Sequence, residues 1–272
     1  MIEIASSKNP QVKFLKSLHQ KKHRERESKF IVEGIKTLEL AIKAGITCYG
    51  VYLTEKGLES LRSQLPELFE KVNRVHLISE AVLKEVTSTE TPQGVIGVLE
   101  MPLKMKQEQL FDRIQIETRM GSILMLDRIQ DPGNMGTIIR TAEAAGIQDI
   151  VLVKGCVDIF NDKVMRSTMG SIFNVSFYEV EDPVAFVTAL SEFGYLIVAS
   201  ALENAVAYSR NSVFSKRNCL IIGNEGNGIS DMLLQASDIR VKIPIRGVAE
   251  SLNAGVAAGI LIYKMLESDL NL

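Results

Sequence analysis

The sequence predicts an α/β protein with two domains, and three observations support this prediction. The chain has 272 residues, which is enough for two domains that each bury a hydrophobic core. Apolar runs rich in β-branched residues alternate with segments of helical period along most of the chain. In the second half these runs are almost continuously apolar, which is typical of a parallel sheet covered on both faces. We therefore expect a smaller α/β domain followed by a parallel-sheet domain.

The amino-terminal domain is predicted over residues 1–102. Its strands are expected at 30–33, 49–54, 74–79 and 94–100, and its helices at 35–44 and 80–86. A polar, charge-mixed stretch follows at 103–120, and we interpret it as a linker because such segments commonly join domains. The second domain is then predicted over 121–272.

The second domain shows a more regular alternation of strands and helices. Strands are expected at 122–127, 149–153, 174–180, 195–200, 219–223 and 239–245. Helices are expected near 134–145, 161–171, 183–193, 229–236 and 250–267. Ligands of parallel sheets bind outside the carboxyl ends of the strands. Since the last three predicted strands end in glycines and polar side chains, we expect a binding crevice there.

Composition excludes several classes of protein. Cys48, Cys156 and Cys219 are far apart and fit neither a metal-ligand spacing nor a disulfide framework, so we expect reduced, buried thiols. The longest apolar run, Ala254 to Tyr263, is too short to span a bilayer, and the amino terminus lacks the apolar core of a signal peptide. All three histidines precede the second domain, which argues against a histidine- or zinc-based mechanism there. We expect a cytoplasmic protein with neither a membrane nor a metal partner.

The net charge is −2, but the charged residues are distributed unevenly along the chain. Residues 1–30 contain eight Lys and Arg residues against three Glu, a balance of +5, so the remaining residues carry −7. Such a split suggests a basic patch that contacts nucleic-acid phosphates. The alternative is a solvated helix face, because the run KKHRERE at 21–27 also allows Glu–Lys and Glu–Arg pairs.

The first segment that could carry chemistry is NMGTIIRTAEAAG, at 134–146. Asn134 is a good helix N-cap and Gly146 a good helix stop. Arg140 would emerge from a surface of small residues. It then either pairs with Glu143 or points at a phosphate or a developing anion, and spacing alone leaves both open. The buried side of this helix is expected to consist of Ile138, Ile139, Ala142 and Ala145.

The second segment is GNEGNGIS, at 223–230. Its glycines allow backbone amides to approach a ligand closely, although glycine-rich turns are also common without one. It has neither the Walker A nor the dinucleotide-binding spacing. Glu225 would repel a phosphate, so the segment suits a cationic or hydroxyl-bearing ligand, or an arginine partner.

The third segment, IPIRGVAESLNAGVAAG at 243–259, passes from a strand into a helix of small residues. Glu250, Ser251 and Asn253 cluster where this helix is predicted to begin. Ser251 and Asn253 are either functional groups or helix caps. The small-residue face indicates tight packing, against another helix or against another subunit.

Taken together, the three segments resemble the SpoU (TrmH) family of RNA ribose 2′-O-methyltransferases, within the SPOUT class. The family motif NxGxxxRTA is matched at Asn134, Gly136, Arg140, Thr141 and Ala142. The motif GNEGxGIS is matched from Gly223 to Ser230. The motif IPxxGxxxSLN is matched at Ile243, Pro244, Gly247, Ser251, Leu252 and Asn253. The amino-terminal half is also similar to the substrate-binding domain of this family, in the runs SSKNPQVK, FIVEGIK and TPQGVIGVLE.

The resemblance implies a fold and partners that composition does not show. The second domain would contain a trefoil knot, a rare exception to the rule against knots. The first domain would have an L30e-like fold that grips structured RNA. The protein would bind S-adenosylmethionine and form a homodimer in which each active site contains residues of both subunits.

The resemblance also assigns roles to residues. The cofactor would be held by Ser200, Ala201, Leu202, Gly223, Asn224, Gly228, Ile243, Ile245, Ser251 and Leu252. The catalytic group would consist of Arg140, Asn134, Glu225, Ser251 and Asn253. RNA would be contacted by Lys8, Lys21, Lys22, Arg24, Arg26 and Arg140. Arginine holds its proton too tightly to be a good general base, so we expect Arg140 to orient the ribose and stabilise the developing alkoxide.

The expected activity is 2′-O-methylation of ribosomal RNA of the 23S type. The alternatives are a transfer RNA 2′-O-methyltransferase and a catalytically silent RNA-binding or ribosome-assembly module of the same fold. A nucleotide-dependent oxidoreductase is disfavoured because the second domain lacks the GxGxxG motif and its acidic ribose ligand.

Overall fold

The computed structural model describes residues 2–72, 74–102, 104–117, 121–210 and 213–270. The chain forms two compact units, and each is discontinuous in sequence. One consists of Met1–Leu103 and Phe160–Phe173, and the other of Lys104–Ile159 and Asn174–Leu272. Both are α/β, as predicted from the sequence.

The first unit is built on a mixed sheet. Its described strands are β1 (Ile2–Ile4), β2 (Lys29–Glu33), β3 (Cys48–Leu53), β4 (Val75–Ile78) and β5 (Val95–Glu100). Its helices up to residue 102 are α1 (Pro10–Ser17), α2 (Lys21–Glu27), α3 (Ile35–Lys43), α4 (Glu55–Gln64), α5 (Pro66–Lys71) and α6 (Glu80–Val86). The strand order is β1-β4-β3-β5-β2. Strands β1, β4 and β3 are parallel, whereas β5 is antiparallel to both of its neighbours.

The rest of the chain supplies the second sheet and its helices. The described strands are β6 (Met105–Lys106), β7 (Ile123–Asp127), β8 (Asp149–Val153), β9 (Ser176–Val180), β10 (Leu196–Ser200), β11 (Val206–Ala207), β12 (Asn218–Gly223) and β13 (Ile239–Lys242). The helices of this part of the chain are α7 (Gln107–Ile116), α8 (Pro132–Ala144), α9 (Asp162–Ser167), α10 (Pro183–Glu192), α11 (Asp231–Ala236) and α12 (Ala254–Leu270). Of these, α9 belongs to the first unit.

The second sheet is parallel, as the continuous apolar runs predict. Its order among the described strands is β11-β13-β10-β12-β7-β8-β9-β6, and every pair is parallel. Every residue of β7 and of β8 is buried, because helices cover both faces. The carboxyl ends of β10, β12 and β13 lie side by side, so the segments that follow them meet at one edge of the sheet. The trefoil knot stays a prediction.

Helix α12 packs against α8 at short range. A side chain at Gly255 would place its Cβ only 3.3 Å from Thr137, and one at Gly259 would lie 3.8 Å from Thr141. The small residues of the third segment thus serve contact between two helices of the same chain. No helix in the described ranges is long and apolar enough to cross a membrane.

The predicted linker at 103–120 is wrong for the residues that the structure describes. Residues 105–116 form β6 and α7, and Leu110 and Ile114 are buried in the core of the second unit. Arg113 fastens this helix, because its Nη1 lies 2.7 Å from Asp149 Oδ1 and 2.8 Å from the Tyr178 hydroxyl. Leu103 and residues 118–120 lie outside the described residues.

The assignment of all of 121–272 to the second domain is also wrong. The segment Phe160–Phe173 belongs to the first unit. The rings of Phe160 and Phe173 lie 4.8 and 6.4 Å from that of buried Phe30. The predicted helix at 161–171 is shorter, ending at Ser167 and followed by a 3-10 turn at Ser171–Asn174.

The same segment is fastened by His19. Its Nδ1 lies 2.6 Å from Asp162 Oδ2, and its Nε2 lies 2.7 Å from the carbonyl oxygen of Val86. Both acceptors are satisfied only when both ring nitrogens carry protons. The hydrogen bond to Asp162 raises the pKa of His19, although partial burial lowers it. We infer that His19 is held as an imidazolium.

Replacing Arg113 by Met should lower the free energy of unfolding by about 3 kcal/mol, because Asp149 would stay buried without its cation. Urea unfolding of the full chain measures this change. Lys264→Met is the matched control, since it breaks only the surface pair with Glu267 and should cost at most about 1 kcal/mol. Equal losses in the two variants would contradict the anchoring role of Arg113.

The stabilising effect of His19 should depend on pH. A raised pKa in the folded state stabilises the fold fully below the unfolded value of about 6.5, and this contribution is lost as pH rises through the folded pKa. The difference in unfolding free energy between wild type and His19→Gln should therefore shrink with rising pH. Urea unfolding across pH measures it, and Asp162→Asn should flatten the trend. A difference independent of pH would refute the ionic contact.

Candidate functional site

The segment that follows β12 is a tight, self-bonded loop. The N–H of Asn224 donates to the Gly228 carbonyl at 3.0 Å, and the N–H of Gly228 donates back to the Asn224 carbonyl at 2.9 Å. Gly228 has a φ of +64°. A Cβ at Gly223 would lie 2.3 Å from the backbone of Gly228, so only glycine fits there. The Asn224 side chain closes the turn by accepting from the N–H groups of Gly226 and Asn227, each at 3.0 Å.

Three side chains join the three motif segments. Asn134 donates from Nδ2 to Glu225 Oε1 at 3.0 Å. Its Oδ1 accepts from Asn253 Nδ2 at 2.8 Å. One amide thus links the first turn of α8, the loop at 223–230 and the residue before α12. We call Asn134, Glu225 and Asn253 the amide–carboxylate network.

Asn134 is free to make these bonds because it is not the helix cap that the sequence predicts. Helix α8 begins at Pro132, and its N-cap is Asp131, whose Oδ1 accepts from the Asn134 N–H at 2.8 Å. Asn134 therefore lies within the first turn. The prediction that Asn134 is the cap is wrong.

Asn253 has two roles at once. Its Oδ1 accepts from the N–H groups of Gly255 at 2.9 Å and Val256 at 3.2 Å, so it caps α12, while its Nδ2 reaches Asn134. The predicted helix at 250–267 consequently begins only at Ala254. Residues 250–253 are an exposed loop.

Glu225 is held as a carboxylate. Besides the bond from Asn134, it accepts from the N–H groups of Asp131 at 3.0 Å and Gln130 at 3.2 Å. Partial burial raises the pKa of Glu225, but the hydrogen bonds from Asn134 and from the backbone outweigh it, so the pKa lies below its ordinary value. It is an acceptor at this site rather than an acid.

Asp127 and Arg128 support the same loop, and sequence reasoning missed both. Buried Asp127 accepts from the Ser230 N–H at 2.7 Å and from Arg128 Nε at 2.8 Å. Arg128 has a φ of +59°, which is unusual outside glycine, and its carbonyl accepts from Asn224 Nδ2 at 2.8 Å. The acidic residue at the end of the strand SILMLD was the available signal.

A cavity of about 600 Å³ lies at the ends of β10, β12 and β13. All ten predicted cofactor residues line it, namely Ser200, Ala201, Leu202, Gly223, Asn224, Gly228, Ile243, Ile245, Ser251 and Leu252. Its carboxylates are those of Glu203, Glu225, Asp231 and Glu250. Arg240 is the cation among the lining residues, and its guanidinium donates to the Leu234 carbonyl. The lining is thus negative overall.

Arg140 is exposed on α8 and is not among the residues that line this cavity. Within the part of the chain that the structure describes, it makes no hydrogen bond or ion pair. The structure therefore does not bring Arg140 to the cavity of its own chain, and the Glu143 pairing considered from sequence is not formed. Glu143 instead accepts from Asn174 Nδ2 at 3.1 Å.

The predicted basic patch is partly wrong. Arg24 is 2% exposed, and its Nη1 donates to the Leu18 carbonyl at 2.8 Å, so it stabilises the first unit rather than facing a ligand. Lys21 pairs with Glu25 at 3.6 Å and Arg26 with Glu27 at 2.8 Å. Lys8 and Lys22 are exposed.

Cysteines and metal ligands play no part in the geometry of this site. Burial raises the pKa of the Cys48 and Cys156 thiols to about 11 and that of Cys219 to about 12, so all three are neutral thiols. Among the described residues, no group of three or more His, Cys, Asp or Glu side chains is arranged to hold a metal ion.

Asn253→Asp tests the amide–carboxylate network. The variant keeps the oxygen that caps α12 but loses the donor to Asn134, so two cavity walls lose their link. We expect binding of S-adenosylmethionine to weaken about tenfold. The variant loses one hydrogen bond and leaves a carboxylate oxygen at position 253 facing Asn134 Oδ1, which together cost on the order of 1–3 kcal/mol. Isothermal calorimetry measures this. Asn253→Ala, which also loses the cap, should additionally lower the melting temperature. Wild-type affinity in Asn253→Asp would contradict the role of the link.

Known families match both halves of the chain. The SpoU rRNA Methylase family matches residues 121–263, and the MRM3-like substrate binding domain matches residues 9–97. The 23S rRNA (guanosine(2553)-2′-O)-methyltransferase RlmP of Bacillus subtilis is 36% identical over 265 residues, which cover 97% of this chain and 99% of that protein.

The solved structures to which this chain is similar are also methyltransferases. The crystal structure of an AdoMet-bound rRNA methyltransferase from Sinorhizobium meliloti has a TM-score of 0.82 and 30% identity, covering 97% of this chain and 96% of that chain. The SpoU methyltransferase AviRb from Streptomyces viridochromogenes, in complex with AdoMet, has a TM-score of 0.79 and 27% identity, covering 97% and 99%. Together with the motif geometry, these matches show that the chain belongs to the SpoU rRNA methylase family.

Proposed function

We propose that this protein is an S-adenosylmethionine-dependent enzyme that methylates the 2′-hydroxyl of a ribose in ribosomal RNA. The observation that carries the proposal is the cavity at the ends of β10, β12 and β13, which all ten expected cofactor residues line. The relative named above as a 23S rRNA 2′-O-methyltransferase spans almost the whole chain, which supports the same activity.

The cavity fits the cofactor in size and in charge. Its volume of about 600 Å³ lies within the range of small-molecule sites. S-adenosylmethionine carries a sulfonium and an ammonium against one carboxylate, so its net charge is positive. The carboxylates of Glu203, Glu225, Asp231 and Glu250 complement that charge. When bound, the cofactor supplies an activated methyl group.

The amide–carboxylate network would position the ligands rather than exchange protons. Asn134 holds the loop at 223–230 and the loop before α12 at fixed distances from α8. Much of the rate of such a displacement comes from positioning. Ser251 and Leu252 line the cavity and are exposed, so they would contact the cofactor and the ribose.

Arg140 would stabilise the alkoxide that forms as the 2′-hydroxyl loses its proton. A guanidinium stays charged and donates in a fixed fork, which suits an anion and not the role of a base. We propose that RNA brings its ribose and a neighbouring phosphate to this exposed side chain. Selection of RNA over DNA follows, because the 2′-hydroxyl is the nucleophile.

A homodimer is part of the proposal. Arg140 does not line the cavity of its own chain, so a second copy that supplies it would complete the site. Val256 and Tyr263 of α12 are 52% and 48% exposed, and they lie seven residues apart, on the same side of the helix. Exposed apolar side chains of this kind suit an interface between copies. A substrate of ribosomal RNA also makes the cytoplasm the expected compartment.

Two other functions remain as outcomes of the test, namely methylation of transfer RNA and RNA binding without catalysis. The intact network and the exposed, unpaired Arg140 favour catalysis. The MRM3-like substrate binding domain at 9–97 favours a structured RNA substrate.

Arg140→Ala should bind S-adenosylmethionine with unchanged affinity yet lose methyl transfer by about 10²–10³-fold, because the charge that stabilises the alkoxide is gone. Calorimetry measures the first, and transfer of a tritiated methyl group to protein-free ribosomal RNA measures the second. Lys216→Ala, at an exposed position elsewhere in the second unit, serves as the control and should keep full activity.

Three outcomes would overturn parts of the proposal. Turnover of Arg140→Ala at the wild-type rate would refute the role of Arg140. Transfer by wild type to transfer RNA alone would replace the substrate. Binding of the cofactor and RNA with no transfer to either RNA would identify a silent module.

A further inference from the structure

An aromatic ring flanked by two cations lies on the first unit, away from the basic stretch that the sequence singles out. The Tyr49 ring is half-buried, and Lys29 Nζ lies 4.7 Å from its centroid. The Arg74 guanidinium carbon lies 4.4 Å from the same centroid. The Phe14 ring packs beside it, with centroids 6.3 Å apart. We call Lys29, Tyr49 and Arg74 the cation–tyrosine cluster.

Sheet topology brings these residues together. Lys29 and Tyr49 lie at the beginnings of β2 and β3, and Arg74 directly precedes β4. Strands β2, β3 and β4 run in the same direction, since β2 and β3 are each antiparallel to β5, and β4 is parallel to β3. The cluster therefore lies at one end of the sheet, and Glu33 and Leu53 lie at the other. Three separate parts of the sequence contribute to it.

Neither cation of the cluster forms an ion pair with a carboxylate among the described residues, although Glu100 lies opposite Lys29 in the β2–β5 register. Other basic residues of this unit pair with carboxylates, as Lys16 does with Glu85 and Lys43 with Glu39. Lys29 instead donates to the backbone carbonyl of Glu27 at 3.0 Å. Within the described ranges, neither Lys29 nor Arg74 has a carboxylate partner. The cluster is thus a site of positive charge.

The charge of Arg74 also affects a neighbouring histidine, His76. Burial, followed by the charge of Arg74, lowers the pKa of His76. The His76 ring stacks on Tyr52 at 4.5 Å, and the Tyr52 hydroxyl donates to Gln11. These contacts give the cluster a rigid support, so its side chains need little ordering when a ligand binds.

The chemistry of the cluster matches unpaired RNA. A guanidinium beside an aromatic ring offers a planar, positive surface on which a base can stack, and an ammonium beside it can contact a phosphate. We propose that Lys29, Tyr49 and Arg74 form an RNA-binding surface that stacks one unpaired base of the substrate and holds an adjacent phosphate. The inference rests on the proposed function for the identity of the ligand as RNA. An acidic protein segment would use the charges but not the stacking surface.

Glutamine variants of the full chain test the surface. Arg74→Gln and Lys29→Gln should each weaken binding of protein-free large-subunit ribosomal RNA about tenfold. Each should also make the slope of log affinity against log salt concentration shallower by about one, because one phosphate contact is lost. Affinity for S-adenosylmethionine and kcat at saturating RNA should stay at wild-type values. Fluorescence anisotropy, calorimetry and methyl transfer measure these quantities.

The chain offers a matched control in Arg62, whose guanidinium lies 4.9 Å from the centroid of Phe69. Arg62→Gln removes a cation over an aromatic ring elsewhere in the same unit, and it should leave RNA affinity unchanged. Arg74→Lys keeps the positive charge but loses the planar guanidinium, so it should weaken RNA binding while keeping the wild-type salt slope. Thermal denaturation confirms that each variant folds.

Separate results decide the surface and the proposed function. Wild-type RNA affinity in Arg74→Gln and Lys29→Gln would overturn the surface, even where the enzyme methylates RNA normally. An equal loss in Arg62→Gln would also overturn it. If wild type binds RNA and transfers no methyl group, the proposed function fails. Loss of RNA binding confined to the cluster variants would then still support the surface.

Discussion

The side-chain amide of Asn134 is the contact on which the rest of the site depends. It donates to Glu225 and accepts from Asn253, so it uses both functions of an amide, which neither a carboxylate nor a hydroxyl can reproduce at this spacing. Both partners follow it in sequence, Glu225 by 91 residues and Asn253 by 119. This one side chain joins the cavity walls at 223–230 and 250–253, and the bonds from Asp127, Arg128 and the backbone of residues 130 and 131 hold the first of them from its other side.

Much of the fold could be predicted from periodicity alone, since strands such as Ile123–Asp127 and Asp149–Val153 are continuously apolar. The elements that escaped prediction are amphipathic or highly charged. In α7, buried Leu110 and Ile114 lie in a stretch rich in polar and charged residues, which is why the sequence predicts a linker there. The placement of Phe160–Phe173 in the first unit depends on contacts with Phe30, and no local pattern records them.

The functional site was likewise only partly predictable from the sequence. Its three glycine-bearing segments could be recognised from sequence, because glycine spacing and polar residues at strand ends are local features. The burial of a side chain and the backbone angles of a residue depend on tertiary contacts, which the local sequence does not show. Arg24 looks like its basic neighbours, although only 2% of it is exposed, and nothing in the sequence shows that Arg128 adopts a φ of +59°. The sequence also could not decide whether Asp131 or Asn134 caps α8, because both are good N-cap residues.

The discontinuity of the first unit also constrains how the chain folds during synthesis. Phe30 is fully buried, and it packs against rings supplied by Phe160 and Phe173. The ribosome must therefore make β6, β7, α8 and β8 of the second unit before the first can close its core. Domains usually fold one after another from the amino terminus. Here the first unit cannot complete its core until the chain has been made as far as Phe173, and a fragment that stops at residue 102 lacks both rings that pack on Phe30.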